Sequence, residues 1–311
     1  MEVSQLKQEI AKLKKEKNAI ILSHYYTRDE VQEVADFIGD SLALSRKAEN
    51  TDADIILFAG VHFMAETAKV LSPEKKVLLP DLEAGCSLAD SCNAVEFEKF
   101  VMAHPGYTVV SYVNTTVEVK ALTDIICTSS NAIDIVNSLP ADEKIIFGPD
   151  RNLGNYVKSV TGRENMLIWD GACHVHEQFS LERILELKKE YPNAKILTHP
   201  ECKKPILLVS DHVGSTAALL DFAKKDDAEE YIVVTEPGIL YQMRKECPGK
   251  KFIPAPPTDA ACGCNDCNFM KLITLEKIYR SLKEEIYEIT LDEEIRQKAE
   301  KSIKRMLELS K

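Results

Sequence analysis

The 311-residue sequence lacks three features that would direct a protein to a membrane or to nucleic acid. No apolar run approaches the roughly 18 residues that a helix needs to cross a bilayer. Basic residues are outnumbered, 39 against 50 acidic ones, and the formal net charge of −11 repels a phosphate backbone. The charged, amphipathic N-terminus has no apolar centre of the signal-peptide kind. These absences predict a cytoplasmic protein that binds neither membranes nor nucleic acids.

Low-complexity segments are also absent, and the remaining composition is typical of a globular protein. Hydrophobic residues make up 45% of the chain, and its length predicts two or three domains. Its nine cysteines indicate metal ligands, catalysts or small buried residues rather than a disulfide framework. Only Cys262, Cys264 and Cys267 cluster, as C-x-C-x-x-C. Three thiols are one ligand short of a closed structural zinc site.

The chain contains three copies of one pattern. Each copy opens with a short β-rich run that carries an anchor residue, His24, Tyr112 or His199. At 12, 17 and 36 residues after the anchors come Asp36, Asp124 and Asp211, then Ser41, Ser129 and Thr216, then Gly60, Gly148 and Thr235. The spacing holds without a gap in all three copies, which indicates an internal triplication.

Each copy alternates short apolar runs with helical patterns, which favours parallel strands covered by helices on both faces. We therefore predict an α/β protein of three homologous three-layer αβα units with short parallel sheets, arranged with pseudo-threefold symmetry around a central cavity. The predicted units span residues 1–88, 89–176 and 177–267. Two C-terminal helices, which begin near Thr274 and Asp292, are expected to lie within residues 268–311 and to pack on the first unit.

A cysteine ends each copy. Cys86 and Cys173 lie 62 and 61 residues after their anchors, and the C-terminal cluster begins 63 residues after its anchor, at Cys262. Ligands gather outside the carboxyl ends of parallel strands, so three units facing one cavity would each contribute a thiol. Three thiolates suit a [4Fe–4S] cluster with one free iron that acts as a Lewis acid. The alternative is that Cys86 and Cys173 are small buried residues.

Polar residues at the same predicted strand ends indicate an anionic substrate and proton transfer. Hydroxyl groups before helices, which can hold phosphate or carboxylate, come from Ser41, Ser129, Ser215 and Thr216. The acid–base candidates are His24, Tyr26, Tyr112, Asn114, His174, His176, His199 and Glu201. Glu201 is the only carboxylate two residues past an anchor, which makes it the preferred base.

Long motifs between residues 18 and 273 resemble the quinolinate synthase family, iron–sulfur transferases of NAD biosynthesis. They include SHYY, GDSLALS, EAGCSLADSC, SYVNTTVEVKA, CTSSNA, GPDRNLGNYV, WDGACHVHE, THPEC, VGST, TEPGILYQM and C-x-x-C-x-x-M-K. The resemblance implies three homologous α/β domains around one [4Fe–4S] cluster per chain. It also implies that iminoaspartate condenses with dihydroxyacetone phosphate to give quinolinate, with loss of phosphate and two waters. An aspartate oxidase or dehydrogenase that produces iminoaspartate would be a functional partner.

The resemblance also implies the site residues. Cys86, Cys173 and Cys267 would be cluster ligands, and Glu201, His199 and Tyr26 would move protons. The substrate cavity would be lined by His24, Tyr26, Ser41, Tyr112, Asn114, Ser129, His176, His199, Glu201, Ser215 and Thr216. Cys262 keeps the better repeat spacing, but the family pattern selects Cys267. A disulfide between Cys262 and Cys264 is doubtful, because one intervening residue makes an unstrained bridge hard to build.

Two other functions share some of these features. An iron–sulfur hydro-lyase acting on a single hydroxy acid would use the same open iron but would need no phosphate site. A zinc or iron–sulfur protein that senses or carries electrons would need a fourth protein ligand. A radical enzyme that uses S-adenosylmethionine is disfavoured, because no C-x-x-x-C-x-x-C element occurs.

The cluster can be tested by elemental analysis. Protein purified without oxygen should contain about four irons and matching sulfide per chain, because three thiolates complete a cubane cluster with one open iron. Iron, sulfide and zinc are measured together. One zinc per chain without sulfide would contradict the prediction.

Overall fold

A computed structural model describes residues 1–258 and 265–310 of the chain. Its described residues form three separate four-stranded sheets, all with parallel strands. Within each sheet the first strand in sequence pairs with the second and the third, and the fourth lies beyond the third. The predicted class, α/β with three short parallel sheets, is confirmed, and the identical strand order agrees with the repeat in the sequence.

The first sheet and the helices around it form the first region, at the N-terminal end of the chain. Its strands are β1 (Ala19–His24), β2 (Phe37–Gly39), β3 (Ile55–Ala59) and β4 (Lys76–Leu78). The helices around it are α1 (Val3–Glu16), α2 (Asp29–Val34), α3 (Ser41–Glu49) and α4 (His62–Leu71). All five residues of β3 are buried, because helices cover both faces of the sheet.

The second and third sheets repeat this plan. The second region contains α5 (Ser87–Asp90), α6 (Ala94–Met102), β5 (Thr108–Tyr112), α7 (Val117–Ala121), β6 (Ile125–Cys127), α8 (Ala132–Ser138), β7 (Ile145–Gly148), α9 (Arg151–Thr161) and β8 (Met166–Ile168). The third contains α10 (His174–Glu177), α11 (Leu181–Glu190), β9 (Lys195–Thr198), α12 (Lys204–Leu207), β10 (His212–Val213), α13 (Thr216–Lys225), β11 (Glu230–Val234), α14 (Ile239–Glu246) and β12 (Lys251–Pro254). A 3₁₀ turn (Met270–Leu272), α15 (Leu275–Glu284) and α16 (Glu293–Leu309) follow.

The repeated aspartate has a structural role in every sheet. The carboxylates of Asp36, Asp124 and Asp211 accept hydrogen bonds from the backbone N–H of Ile21, Val109 and Ile196, each at 2.8 Å. Each donor belongs to the first strand of its sheet and lies 15 residues before its aspartate. The aspartate therefore satisfies a strand N–H and fixes the chain as it enters the neighbouring edge strand.

The C-terminal helices join different parts of the molecule. Helix α15 packs against α1 and β3 of the first region. Helix α16 packs mainly against α7 and β6 of the second region and to a smaller extent against α4 of the first. Its apolar stripe, which includes Ile303 and Met306, belongs to one core cluster that contains residues from both sheets. The two regions thus share a core through α16.

No helix among the described residues is both long enough and apolar enough to cross a membrane.

Because α16 belongs to the shared core, a substitution of one of its buried residues should destabilise the protein. Met306 is fully buried in it, so Met306→Ala should lower the free energy of unfolding by about 2–5 kcal/mol through lost burial and a cavity. The neighbouring exposed residue supplies the control, since Arg305→Ala should change stability by less than about 0.5 kcal/mol. Denaturant titration measures both. Equal stabilities would show that α16 is not part of the core.

Candidate functional site

Residues from the carboxyl ends of the first strands of all three sheets line one cavity, whose empty space is about 650 Å³ when its opening to solvent is included. His24 and Tyr112 end β1 and β5, and His199 follows β9. The sequence-predicted residues that line it are His24, Tyr26, Ser41, Cys86, Tyr112, Asn114, Ser129, Cys173, His174, His176, His199, Glu201, Thr216 and Cys267. The structure therefore brings together groups that lie more than 200 residues apart in the sequence.

Ser215, which the sequence predicts in the cavity, lies at the start of α13. Ser215 is not among the residues that line the cavity. Its hydroxyl accepts a hydrogen bond from the backbone N–H of Ala218 at 3.3 Å and caps α13. The next residue, Thr216, does line the cavity. Ser215 thus satisfies the helix start, and Thr216 is the hydroxyl available to a ligand.

Each of the three cysteines precedes a short helical segment. Cys86 and Cys173 stand at the N-cap positions of α5 and α10, and Cys267 precedes the 3₁₀ turn. Backbone N–H groups of the turn that follows donate to each thiol, among them those of Ala89, His176 and Met270. This arrangement stabilises negative charge on sulfur.

Burial opposes that charge. It raises the pKa of the Cys86 thiol to about 12 and that of Cys267 to about 11, and it raises the pKa of Cys173 well above its usual value. Hydrogen bonds from backbone N–H groups offset only part of this effect. A thiolate in such a place needs a cation, so the donor set fits a metal centre. Cys262 and Cys264 lie outside the described residues.

A closer group of potential ligands includes one of these cysteines. Ligand atoms of Cys173, His176 and Glu201 all lie within 4.8 Å of one another. Within residues 1–258 and 265–310, no group this close contains two of the three cavity cysteines. The three thiols therefore do not all lie within 4.8 Å of one another.

Glu201 is buried, and its carboxylate lies near the side chains of Tyr112, His176 and His199. The Tyr112 hydroxyl donates to its Oε1 at 2.6 Å, and His176 Nδ1 lies 3.1 Å from its Oε2. Burial opposes ionisation, but electrostatic attraction to His176 and the hydrogen bond from Tyr112 outweigh it, so the pKa of Glu201 lies below its usual range. The cavity thus holds an ionised carboxylate.

Two imidazoles near this carboxylate are neutral. Burial, reinforced by the positive charge that His199 can carry, lowers the pKa of His24 to about 3. Burial likewise lowers the pKa of His199 to about 3, although Glu201 opposes the shift. The cavity thus places the ionised carboxylate of Glu201 beside the neutral imidazole of His199.

Thr235 connects two predicted site residues, and sequence reasoning gave it no role in the site. Its hydroxyl lies 2.7 Å from the Tyr26 hydroxyl and 3.0 Å from His176 Nε2. Thr216 forms a second hydrogen bond with Tyr26, at 2.8 Å. The repeat held a signal for Thr235, because it is a hydroxyl residue where the other two copies have glycine.

The hydroxyl and amide groups are placed for anion binding. Ser41 and Thr216 are the first residues of α3 and α13, where backbone N–H groups point out of the helix. Ser129 lies in the turn before α8, and its hydroxyl is 3.2 Å from His199 Nε2. The side-chain oxygen of Asn114 is buried with no hydrogen-bond partner among the described residues. A buried polar atom of this kind is suited to bind a ligand.

Comparisons with known proteins agree with the motifs. A family model described as quinolinate synthetase A protein matches residues 8–308. Proteins named quinolinate synthase are 57% identical in Thermosynechococcus vestitus and 58% identical in a Synechocystis strain, each over 97% of this chain and 94% of the relative. The relative from Chloroherpeton thalassium, with the same name, is 55% identical over 98% of this chain and 94% of its own.

A solved structure was also found, described as that of E-1-hydroxy-2-methyl-but-2-enyl-4-diphosphate reductase from Plasmodium falciparum. It aligns over 82% of this chain and 79% of its own with 13% sequence identity and a TM-score of 0.28. This score is too low to indicate a shared fold.

The Thr235 contacts predict a stability effect. Thr235→Val keeps the shape of the side chain but leaves the buried His176 Nε2 without its partner, so the free energy of unfolding should fall by about 1–3 kcal/mol. Thr235→Ser keeps the hydroxyl and should lie closer to the original protein. Denaturant titration compares the three proteins. A valine variant as stable as the original would mean that the hydroxyl does not bridge Tyr26 and His176.

Proposed function

The chain belongs to the quinolinate synthetase A family, and we propose that it is a quinolinate synthase. It condenses iminoaspartate with dihydroxyacetone phosphate and releases phosphate and two waters to give quinolinate. The observation that carries this proposal is the single cavity in which three cysteines, Glu201 and groups suited to anions meet. The hydro-lyase alternative is not favoured by the family to which the chain belongs.

We propose that the three αβα units span residues 1–88, 89–176 and 177–267 and surround the cavity with pseudo-threefold symmetry. The common strand order and the repeated aspartate bond support three homologous units. Lining residues from the first strand of every sheet support a central place for the cavity. Helix α16 then adds to the contact between the first two units.

Cys86, Cys173 and Cys267 would hold one [4Fe–4S] cluster. The fit rests on three partly buried thiols that line one cavity, each with backbone N–H donors. Hydrogen bonds of this kind to cysteine sulfur are among the features that tune iron–sulfur centres. When bound, the cluster would supply an iron without a protein ligand that acts as a Lewis acid.

The substrates carry carboxylates and a phosphate, and the protein binds them against its own net charge of −11. Ser41, Thr216 and the N–H groups that begin α3 and α13 would hold these anions, with Ser129 and Asn114 as further partners. Local positive dipoles compensate for the unfavourable overall field, because they act at hydrogen-bond distance.

The reaction needs groups in the cavity that remove protons from the condensing substrates and groups that return protons to them. A carbon–carbon bond forms as phosphate leaves, and the imine nitrogen then closes onto the remaining carbonyl. Glu201 is the base, since it is ionised and oriented by Tyr112 and His176. His199 carries protons beside it.

Tyr26 would be the group that returns protons. Burial holds the pKa of the Tyr26 phenol well above its usual value, so it keeps its proton at neutral pH. Its hydroxyl is oriented by Thr216 and Thr235, and Thr235 connects it to His176. The two dehydrations need such a donor, because each departing hydroxyl leaves as water.

Iminoaspartate is the oxidised form of an amino acid, so a reaction that oxidises aspartate must supply it. We propose that an aspartate oxidase or dehydrogenase acts before this enzyme.

A pair of variants tests the separate roles of cluster and base. Glu201→Gln should retain the iron and lose turnover by about 100-fold or more, whereas Cys173→Ala should lose both iron and turnover. Cys127→Ala, at a buried strand position outside the cavity, is the control that should keep both. Quinolinate formation, triose phosphate consumption and phosphate release are measured under anaerobic conditions. Turnover that survives loss of the iron, or proceeds without triose phosphate, would contradict the proposed function.

A further inference from the structure

Lys271 lies where three parts of the chain meet beside the cavity. Its ammonium group donates to the backbone carbonyl of Tyr26 at 2.8 Å and is 2.9 Å from Glu236 Oε1. Asp266 is a more distant neighbour, at 3.8 Å. The Lys271 backbone is itself held, because its N–H donates to the carbonyl of Cys267 and its carbonyl accepts from Arg28. Lys271 thus contacts both the segment that carries Tyr26 and the segment that carries Cys267.

Glu236 is the partner that completes this connection. Its side chain is fully buried, and it lines the cavity. Oε1 accepts from the backbone N–H of Cys267 at 3.2 Å as well as from Lys271, and Oε2 accepts from Gly238 N–H at 2.7 Å. One carboxylate therefore fixes the backbone of Cys267 and the charge of Lys271 at the same time.

Further contacts restrain the Tyr26 segment. A Cβ added to Gly238 would lie 2.8 Å from the Cα of Tyr26, so the two backbones are in close contact. Gln32 donates to the carbonyls of Tyr25, Thr27 and Gly238, and Gln242 donates to Gln32. The segment cannot move toward Gly238, and the bond from Lys271 holds the carbonyl of Tyr26.

We propose that Lys271 and Glu236 act as one positioning pair that sets the place of Tyr26 relative to Cys267. The inference rests on the proposed function, which assigns the proton donor to Tyr26 and a cluster ligand to Cys267. Neither residue of the pair needs to touch the substrate. The pair couples the two groups because it bonds to the backbone of each. A charged pair that is mostly buried has a narrow range of low-energy geometries, which suits it to this purpose.

Lys271→Met tests the pair directly. It keeps an unbranched side chain but removes the charge and the donor, so Tyr26 should lose its fixed position. We expect kcat to fall about 10- to 100-fold, the size of effect that displacement of a catalytic group by about an ångström produces. KM should stay within about threefold and iron content should match that of the original enzyme, because substrate binding and the three cysteines are unchanged. Lys271→Arg keeps charge and donors and should recover part of the lost kcat.

Lys17→Met is the matched control. Lys17 also donates to one carboxylate, Glu285, and to one backbone carbonyl, that of Lys283. Its side chain is 22% exposed, close to the 18% of Lys271. Its side-chain hydrogen bonds go to residues 283–285 and not to the segments that carry Tyr26 and Cys267, so its variant should keep kcat. An equal loss of kcat in both variants would assign the effect to general stability and overturn the proposal.

A double-mutant cycle tests whether the two residues act together. Glu236→Gln alone should also lower kcat, and the double variant Glu236→Gln with Lys271→Met should be no slower than the worse single variant. Losses that multiply would show independent roles and overturn the pair. If the methionine variant fails to fold, Glu236→Gln and Lys271→Arg carry the test, and normal kcat in both would overturn it.

Three further outcomes separate this inference from the proposed function. Loss of iron in proportion to loss of kcat in Lys271→Met would make the pair a support for cluster retention, and the positioning role would be wrong. Original enzyme that forms quinolinate while Lys271→Met keeps its full kcat would overturn only the inference. Original enzyme that holds its iron but forms no quinolinate would overturn the proposed function itself, and with it the role assigned to Tyr26.

Discussion

Burial at the carboxyl ends of short parallel strands is the constraint on which the rest of this structure depends. Strands covered on both faces leave little room for large polar side chains, and His24, Tyr112 and His199 stand where the strands end. All three strand ends border one cavity, and the side chains of His24, Tyr112 and His199 line it. Desolvation inside it then has to be offset by hydrogen bonds between those groups.

The same burial decides which groups carry charge. His24 and His199 lose their positive charge because no solvent stabilises it, and the thiols of Cys86 and Cys173 resist ionisation for the same reason. Glu201 is the exception, since the Tyr112 hydroxyl donates to it and His176 lies 3.1 Å from it. The cavity thus places an ionised carboxylate beside the neutral imidazoles of His24 and His199 and beside thiols that resist ionisation.

The internal repeat serves two purposes at different positions. The aspartate 12 residues past each anchor bonds to a strand N–H in every copy, which is a structural requirement of the unit. The anchors themselves differ between copies and line the cavity. At a third position, glycine in two copies is replaced by Thr235, which connects Tyr26 to His176. The position that is aspartate in all three copies thus supports the fold of each unit. The positions that differ between copies give each unit a different side chain at the site.

Periodicity, spacing and motifs in the amino-acid sequence were sufficient for the α/β class, the three sheets, the family and most of the residues that line the cavity. These properties depend on local pattern or on identities that the family shares. Only the tertiary structure decided that Ser215 caps a helix, that α16 packs mainly on the second region, and that Thr235, Glu236 and Lys271 connect to Tyr26 and Cys267. Each of these depends on which of two neighbouring side chains faces inward, or on contacts between segments far apart in the chain. Local pattern carries no information about such contacts, because packing and hydrogen-bond geometry arise only when the segments are assembled.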